Sequence, residues 1–356
     1  MVKSLIKEIE IRSNLSKENH ENEAAIISAE DEKIETVYFG GGTPSLLSQN
    51  EIHSIISAVK QNYKVVDDAE ITLEANPDDI TFNKLIEWKN VGVNRLSIGI
   101  QSFIERDLTW MNRAHNAAQA LDCIKLAREV GFNNFSIDLI FGTPGLTNDE
   151  WKKNIQTAIN LNVPHISSYA LTVESKTALQ KMIQLKKKEN VNSDVQAEQY
   201  SILMKALCKA GYEHYEISNF AKPGFRSKHN SSYWQSKKYL GIGPSAHSYN
   251  GKVRAWNKSN NSIYINSLKQ NIIPFEKEIL AKSQKINEYV MTSLRTIEGL
   301  DLNFIENNFS TQERNRIENL LKEKVKKESY FIKNNKIILM DSGKLFADAI
   351  AVELFL

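Results

Sequence analysis

The sequence predicts an α/β protein in which a parallel sheet is covered by helices and a smaller helical unit with a two-strand wing follows. Three observations carry this. Apolar, β-rich runs alternate with helical stretches through the first half of the chain. Several strands end in clustered turn formers. After Glu174 the texture changes to charged helix and then to a Gly-, Ser-, Asn- and aromatic-rich stretch.

The chain opens on an amphipathic helix, Met1 to about Ile11, with Val2, Leu5, Ile6, Ile9 and Ile11 in helical register. Strands are expected at Thr36–Phe39, Glu70–Ala75, Arg95–Ile100, Phe135–Phe141 and Ile166–Leu171. Helices are expected between them at Glu51–Gln61, Phe82–Asn90, Ala117–Val130 and Asp149–Asn160. The strands read as near-continuous apolar runs, the pattern of a buried parallel sheet. Lys176–Gly211 reads as helix, Tyr212–Phe220 as one strand, and Ala221–Asn257 as a long irregular segment. Helix resumes from about Lys277. A strand pair near Tyr330–Ile332 and Ile337–Met340 precedes a last helix from Ser342 to the end. This gives three expected units: residues 1–175, 176–275 and 276–356.

Composition narrows the function classes. The 356 residues suffice for one large domain and a small one, and 41% apolar with 25% charged residues is ordinary for a globular protein. A net charge of +2 gives no reason to expect nucleic acid, and the runs Lys186–Lys188 and Lys322–Lys327 read as solvated helix surface. No apolar stretch is long enough to span a bilayer, and the N-terminus is too polar for a secretory signal, so a cytoplasmic protein is expected. Only two cysteines occur, Cys123 and Cys208, far apart and both in helical patterns. That excludes a disulfide scaffold and a local cysteine metal motif.

In parallel folds ligands sit at the carboxyl ends of the strands. There the sequence places Gly40-Gly41-Gly42-Thr43-Pro44, Glu74 beside Asn76-Pro77, Gln101-Ser102, and Gly142-Thr143-Pro144-Gly145. A glycine triplet lets a backbone approach a ligand closely, although alone it equally describes a tight turn. Asp138 lies inside an apolar strand, a costly place for a carboxylate without a partner. Arg113 could pair with a ligand carboxylate, although alone it reads rather as a surface or structural ion pair. Glycine backbone for an amino group, Arg for a carboxylate and Asp for a ribose together describe an amino-acid–nucleoside ligand.

These residues carry a resemblance. Val37–Leu46 (VYFGGGTPSL), Glu74–Asp78 (EANPD), Arg95–Phe103 (RLSIGIQSF), Arg113–Asn116 (RAHN) and Ser136–Gly145 (SIDLIFGTPG) resemble the S-adenosylmethionine-binding core of the oxygen-independent coproporphyrinogen oxidase family of radical-SAM proteins. The resemblance implies a (β/α) barrel. It implies cofactor contacts at Gly41, Gly42, Thr43, Glu74, Gln101, Arg113 and Asp138, with the GGGTP turn meeting the methionine amino group.

The segment Tyr215–Tyr249 offers His214, His229 and His247 among many aromatics, suited to heme iron and a flat macrocycle or simply to folding a loop onto the barrel. His229-Asn230-Ser231-Ser232-Tyr233-Trp234 is similar to the HNxxYW motif of the HemW heme chaperones. The resemblance implies His229 as axial ligand with Tyr233 and Trp234 beside it, and Gly241–Ser248 (GIGPSAHS) as a segment that closes the site. The last segment resembles that family's small winged-helix-like domain.

The chain departs from the pattern in one respect. The family opens on a strand and a CxxxCxxC loop whose thiolates hold a [4Fe–4S] cluster. Here no cysteine precedes Cys123. The expectation is therefore a partial barrel without its first strand, read as a shortened form rather than a divergent one, unable to ligate the cluster. Its exposed sheet edge is a candidate homodimer contact. The functional expectation is a chaperone that binds heme and transfers it to an acceptor protein. The alternatives are a coproporphyrinogen III dehydrogenase and a degenerate scaffold that binds neither ligand.

Overall fold

A computed structural model describes residues 1–18, 26–27 and 31–356. Five parallel strands follow one another across a sheet in chain order: β1 (Lys33–Phe39), β2 (Lys64–Ala75), β3 (Arg95–Gln101), β4 (Phe135–Phe141) and β5 (His165–Ala170). Helix α1 (Val2–Glu18) precedes β1. The crossovers are α2 (Gln49–Asn62), α3 (Phe82–Asn90), α4 (Glu105–Trp110) with α5 (Ala117–Glu129), and α6 (Asn148–Asn160). Three of these helices begin on a reciprocal capping box, Ser48 with Glu51, Asn116 with Gln119 and Thr147 with Glu150. A cap is worth about 0.5–2 kcal/mol, and it fixes where each strand-end turn becomes helix.

After β5 come α7 (Ala178–Gln184) and α8 (Ser193–Lys209), then β6 (Glu213–Glu216) and β7 (Asn219–Ala221). The last two form an antiparallel hairpin where the sequence suggested one strand. The Glu216 carboxylate accepts from Ser218 N (3.0 Å) and Asn219 Nδ2 (2.5 Å) and folds the chain back at Ile217. Among the described residues the seven strands run in the order β1-β2-β3-β4-β5-β7-β6 and curl into a half-barrel with β1 at one edge and β6 at the other.

Side chains alternate across the sheet. Leu73, Leu96, Ile98, Ile137, Leu139 and Ile166 point outward under the helices and are fully buried. The inner face instead carries Thr36, Tyr38, Glu70, Thr72, Glu74, Arg95, Ser97, Ser136, Asp138, His165 and Ser167. The strands are thus apolar on one face only. The inner face lines a polar lumen, which the expectation of near-continuous apolar strands overlooked.

The segment expected to be irregular holds α9 (Lys228–Trp234), β8 (His247–Tyr249) and β9 (Val253–Asn257). After α10 (Asn261–Lys269), β10 (Phe275–Ile279) occupies part of the stretch expected to be helical and completes a small antiparallel sheet, β10-β9-β8. The chain ends with α11 (Lys282–Leu294), β11 (Leu300–Asp301), α12 (Leu302–Asn308), α13 (Thr311–Lys324), β12 (Tyr330–Lys333), β13 (Lys336–Leu339), α14 (Asp341–Lys344) and α15 (Ala347–Glu353). The wing is three-stranded, β11-β13-β12, and the last helix is broken in two near Leu345. This part folds around its own core, which includes Ile286, Val290, Leu294, Ile305, Ile317 and Ile337. No helix among the described residues is long and apolar enough to cross a membrane.

Candidate functional site

The site grows from the carboxyl ends of β1 to β4. Gly41 and Gly42 follow β1 with φ of +72° and +65°, and a β-carbon at either would meet nothing within 4 Å. Glycine is needed there for backbone conformation rather than for room. Glu74, near the end of β2, gathers this turn: it accepts from Gly41 N (3.2 Å) and from Tyr38 Oη (2.8 Å). Burial first, then the Glu74 charge, push the Tyr38 phenol far above its ordinary pKa.

Gln101, at the end of β3, sits at φ +63° after a register shift in the β3–β4 ladder. Left-handed backbone at a non-glycine residue is a strained choice. A β-carbon at Gly99 would stand 2.9 Å from Gln101 Nε2 and 3.4 Å from Arg113 Nη2. Gln101 and Arg113 therefore share one spot, and Arg113 is held there by Asn76 Oδ1 at 2.9 Å.

Asp138 faces the same lumen from β4. Burial, then the Glu74 charge, raise its pKa to about 7, with Arg95, Ser167 and Arg113 acting the other way. The sign follows from linkage. Its folded pKa lies above the unfolded value of about 3.9, so the ionised carboxylate costs stability increasingly as pH rises from about 4 to about 7. Asp138→Asn is expected to raise the melting temperature by an amount that grows over that range and is constant above it. A gain independent of pH would show that Asp138 does not titrate in the lumen.

His229 lies on α9, on the open side of the half-barrel. Its Nδ1 is 2.8 Å from Thr36 Oγ1 and its Nε2 is 3.1 Å from Tyr233 Oη. Its ring stacks on Tyr38 with centroids 4.6 Å apart. Tyr233, 41% exposed, continues outward to Tyr239 at 4.9 Å. Trp234 turns away from these two and lies under the Arg295 guanidinium at 5.3 Å. Arg295 Nε donates to Glu216 (3.0 Å), which holds Asn219, the acceptor of the Ser167 hydroxyl (3.0 Å). The motif's three side chains thus face two different neighbourhoods, and only His229 and Tyr233 adjoin.

His214 and His247 lie elsewhere. His214 stacks on Phe220 and lies 3.2 Å from Lys344 Nζ, with its pKa pushed down to about 4 by burial and then Lys344. His247 sits on β8 against Trp256. The sequence reading overlooked Thr36, Tyr38, Glu70, Arg95 and His165. His165 Nε2 is 2.7 Å from Tyr215 Oη, and Arg95 is 1% exposed, its Nε and Nη2 without a hydrogen-bond partner among the described residues and its Nε 3.8 Å from the Glu70 carboxylate. The period-two spacing of Thr36/Tyr38, Glu70/Thr72/Glu74 and Arg95/Ser97 was the available signal.

The Radical SAM superfamily profile matches residues 7–158. The heme chaperone HemW of Bacillus subtilis (strain 168) is 33% identical over 319 residues, 89% of this chain and 84% of that protein. The heme chaperone HemW of Lactococcus lactis is 32% identical over 320 residues, 89% and 83% respectively. The structure of Escherichia coli coproporphyrinogen III oxidase (HemN) superposes with a TM-score of 0.80 at 21% identity, covering 99% of this chain and 82% of that one.

The superfamily implies S-adenosylmethionine and a [4Fe–4S] cluster. The strand ends suit the first: Glu74 and Asp138 would offer carboxyl oxygens to an ammonium and a ribose, and Arg113, steadied by Asn76, its guanidinium to a carboxylate. The thiols do not fit the second. Cys123 is buried in α5, bonded to Ala120 O, its thiol pushed up to about 12 by burial, while Cys208 lies exposed on α8. No group of three His, Cys, Asp or Glu among the described residues could hold a metal ion. Identity near one third over nine-tenths of the sequence, on this fold, makes the chain a member of the HemW family of heme chaperones within the radical SAM superfamily.

Proposed function

We propose that this chain binds heme at α9 through His229 and passes it to an acceptor protein, with S-adenosylmethionine held at the strand ends beside it. The observation that carries this reading is the setting of His229. Its Nδ1 is anchored on Thr36, while among the described residues its Nε2 meets only the hydroxyl of half-exposed Tyr233. An imidazole fixed at one nitrogen and released at the other is the arrangement of a metal-ligating histidine. Swinging Tyr233 outward would free Nε2 for iron, and the Tyr233–Tyr239 pair offers ring faces to a macrocycle.

Electrostatics favours the ligating form. Burial, opposed by Glu70 and aided by Arg95, holds the His229 pKa down to about 4. The ring is therefore neutral at physiological pH and protons do not compete for its lone pair. Titration of the purified chain with heme, followed in the Soret band, is expected to saturate near one-to-one. Affinity should be flat from pH 8 to about pH 5 and fall below that. His229→Ala should weaken it by more than about tenfold, that is by over about 1.4 kcal/mol. Unchanged affinity in the variant would remove His229 as the axial ligand.

A further inference from the structure

His229 is held by more than its ring. Helix α9 crosses the open side of the half-barrel, and its first turn rests on the carboxylate of Glu70, an inner-face residue of β2 that is 5% exposed. Glu70 Oε2 accepts from Lys228 N at 3.1 Å, and Oε1 accepts from His229 N at 3.0 Å and from Ser227 Oγ at 3.4 Å. Arg95, from β3, lies behind it with Nε 3.8 Å from Oε2. Both members of this pair are almost completely enclosed.

We propose that Glu70 is a positioning residue for heme ligation: its two oxygens grip consecutive amides of α9 and so fix which way residue 229 faces. This rests on the reading of His229 as the iron ligand and deepens it. Two neighbouring amides bonded to the two oxygens of one carboxylate leave the helix little freedom to rotate about its axis. With that rotation fixed, the imidazole meets the inner face of β1, where Thr36 Oγ1 lies 2.8 Å from Nδ1 and the Tyr38 ring supports it at 4.6 Å. Nε2 is then the end directed away from the sheet. An amide in place of the carboxylate would offer one acceptor and one donor group, and the donor would oppose an N–H of α9. Enclosing an ion pair is costly, and the arrangement returns that cost as a fixed orientation rather than as net stability.

The same pair links the heme-binding helix to the cofactor lumen. Arg95 sits in the wall between Glu70 and Asp138, and Tyr38, under His229, donates to Glu74. The residues that orient the imidazole are thus one side chain away from those expected to hold S-adenosylmethionine.

The test loads hemin onto the purified full chain, its Glu70→Gln and His229→Ala variants, and follows the Soret titration together with the electron paramagnetic resonance of the ferric form. Circular dichroism checks the fold of each. Expected is a loss of the histidine-ligated signal in His229→Ala. Glu70→Gln should remain folded and keep one-to-one stoichiometry. Its affinity should drop about ten- to hundredfold, the range for losing a group that orients a metal ligand, and its low-spin signal should broaden into several species. A folded Glu70→Gln with wild-type affinity and an unchanged spectrum, while His229→Ala loses ligation, overturns the positioning role and leaves the ligand assignment standing. An unchanged His229→Ala overturns both. If Glu70→Gln does not fold, Glu70→Asp, which keeps the charge beside Arg95 but withdraws it from the α9 amides, carries the same measurement with the same two outcomes.

Discussion

Glu8→Ala is expected to lower the unfolding free energy by about 3–5 kcal/mol, the range for removing one partner of a buried ion pair. Glu8 lies on α1 and is fully buried. Its carboxylate accepts from Arg12 Nε (2.8 Å), Asn257 Nδ2 (2.8 Å), Gly243 N (2.9 Å) and Tyr264 Oη (2.5 Å). Those four donors come from α1 itself, the end of β9, the GIGPSAHS loop and α10, so one side chain fastens the first helix to three later parts of the chain. Alanine would leave a 1%-exposed guanidinium and three other donors without this acceptor. Arg12 Nη2 would keep its bond to Asn257 Oδ1 (3.0 Å), which is why the cost should stay within the stated range. Glu8→Gln keeps an acceptor at the centre and should cost less. Chemical denaturation of the three proteins measures this directly, and a loss of under 1 kcal/mol in Glu8→Ala would mean that the loop and α10 are fastened by packing alone.

That network illustrates what the sequence does and does not disclose. Strands, crossover helices and strand-end turns were legible because they are written locally: apolar runs, Ser48, Asn116 and Thr147 caps, and the Gly40–Pro44 turn. Glu8 and Arg12 look like an ordinary exposed i,i+4 pair on a surface helix, since nothing nearby in sequence says that Asn257 and Tyr264 will enclose them. The same holds for the lumen. Glu74, Gln101 and Asp138 stand out because each breaks a local rule, a charge in an apolar strand or a polar residue at a strand end, whereas Arg113, between α4 and α5, stood out only through the family resemblance. Thr36, Tyr38, Glu70 and Arg95 obey the alternation of a half-solvated strand and become informative only once curling turns that face inward. Within the HNSSYW motif the family resemblance implied three side chains acting together. A helix of seven residues instead separates residues 229 and 234 around its axis, which sends Trp234 to Arg295 and leaves His229 and Tyr233 adjoining.

Reconstitution with iron and sulfide is expected to leave this chain without a [4Fe–4S] cluster, and an added reductant should not cleave S-adenosylmethionine on it. Three thiolates are needed. The chain has two thiols, one of them sealed in the core of α5 with its ionisation suppressed by burial. The residues expected to contact the cofactor, by contrast, lie together at the strand ends, so equilibrium dialysis should detect binding of intact S-adenosylmethionine that Arg113→Ala weakens. Joining a strand with a CxxxCxxC loop ahead of Met1 should then add the cluster's charge-transfer absorption and cleavage together. The added strand has a place to go: among the described residues β1 hydrogen-bonds to β2 alone, and a parallel neighbour on its other side would extend the half-barrel in register with its inner polar face. A stoichiometric cluster on the chain as it stands would refute the ligand argument, since some other set of side chains would have to supply it. Cleavage without a cluster would refute the expectation that cleavage on this fold requires one. Heme titrations run in parallel on both proteins separate the two activities. If α9 binds heme by itself, affinity should survive in the protein without the cluster, and only steps that depend on the cluster should appear when the strand is added.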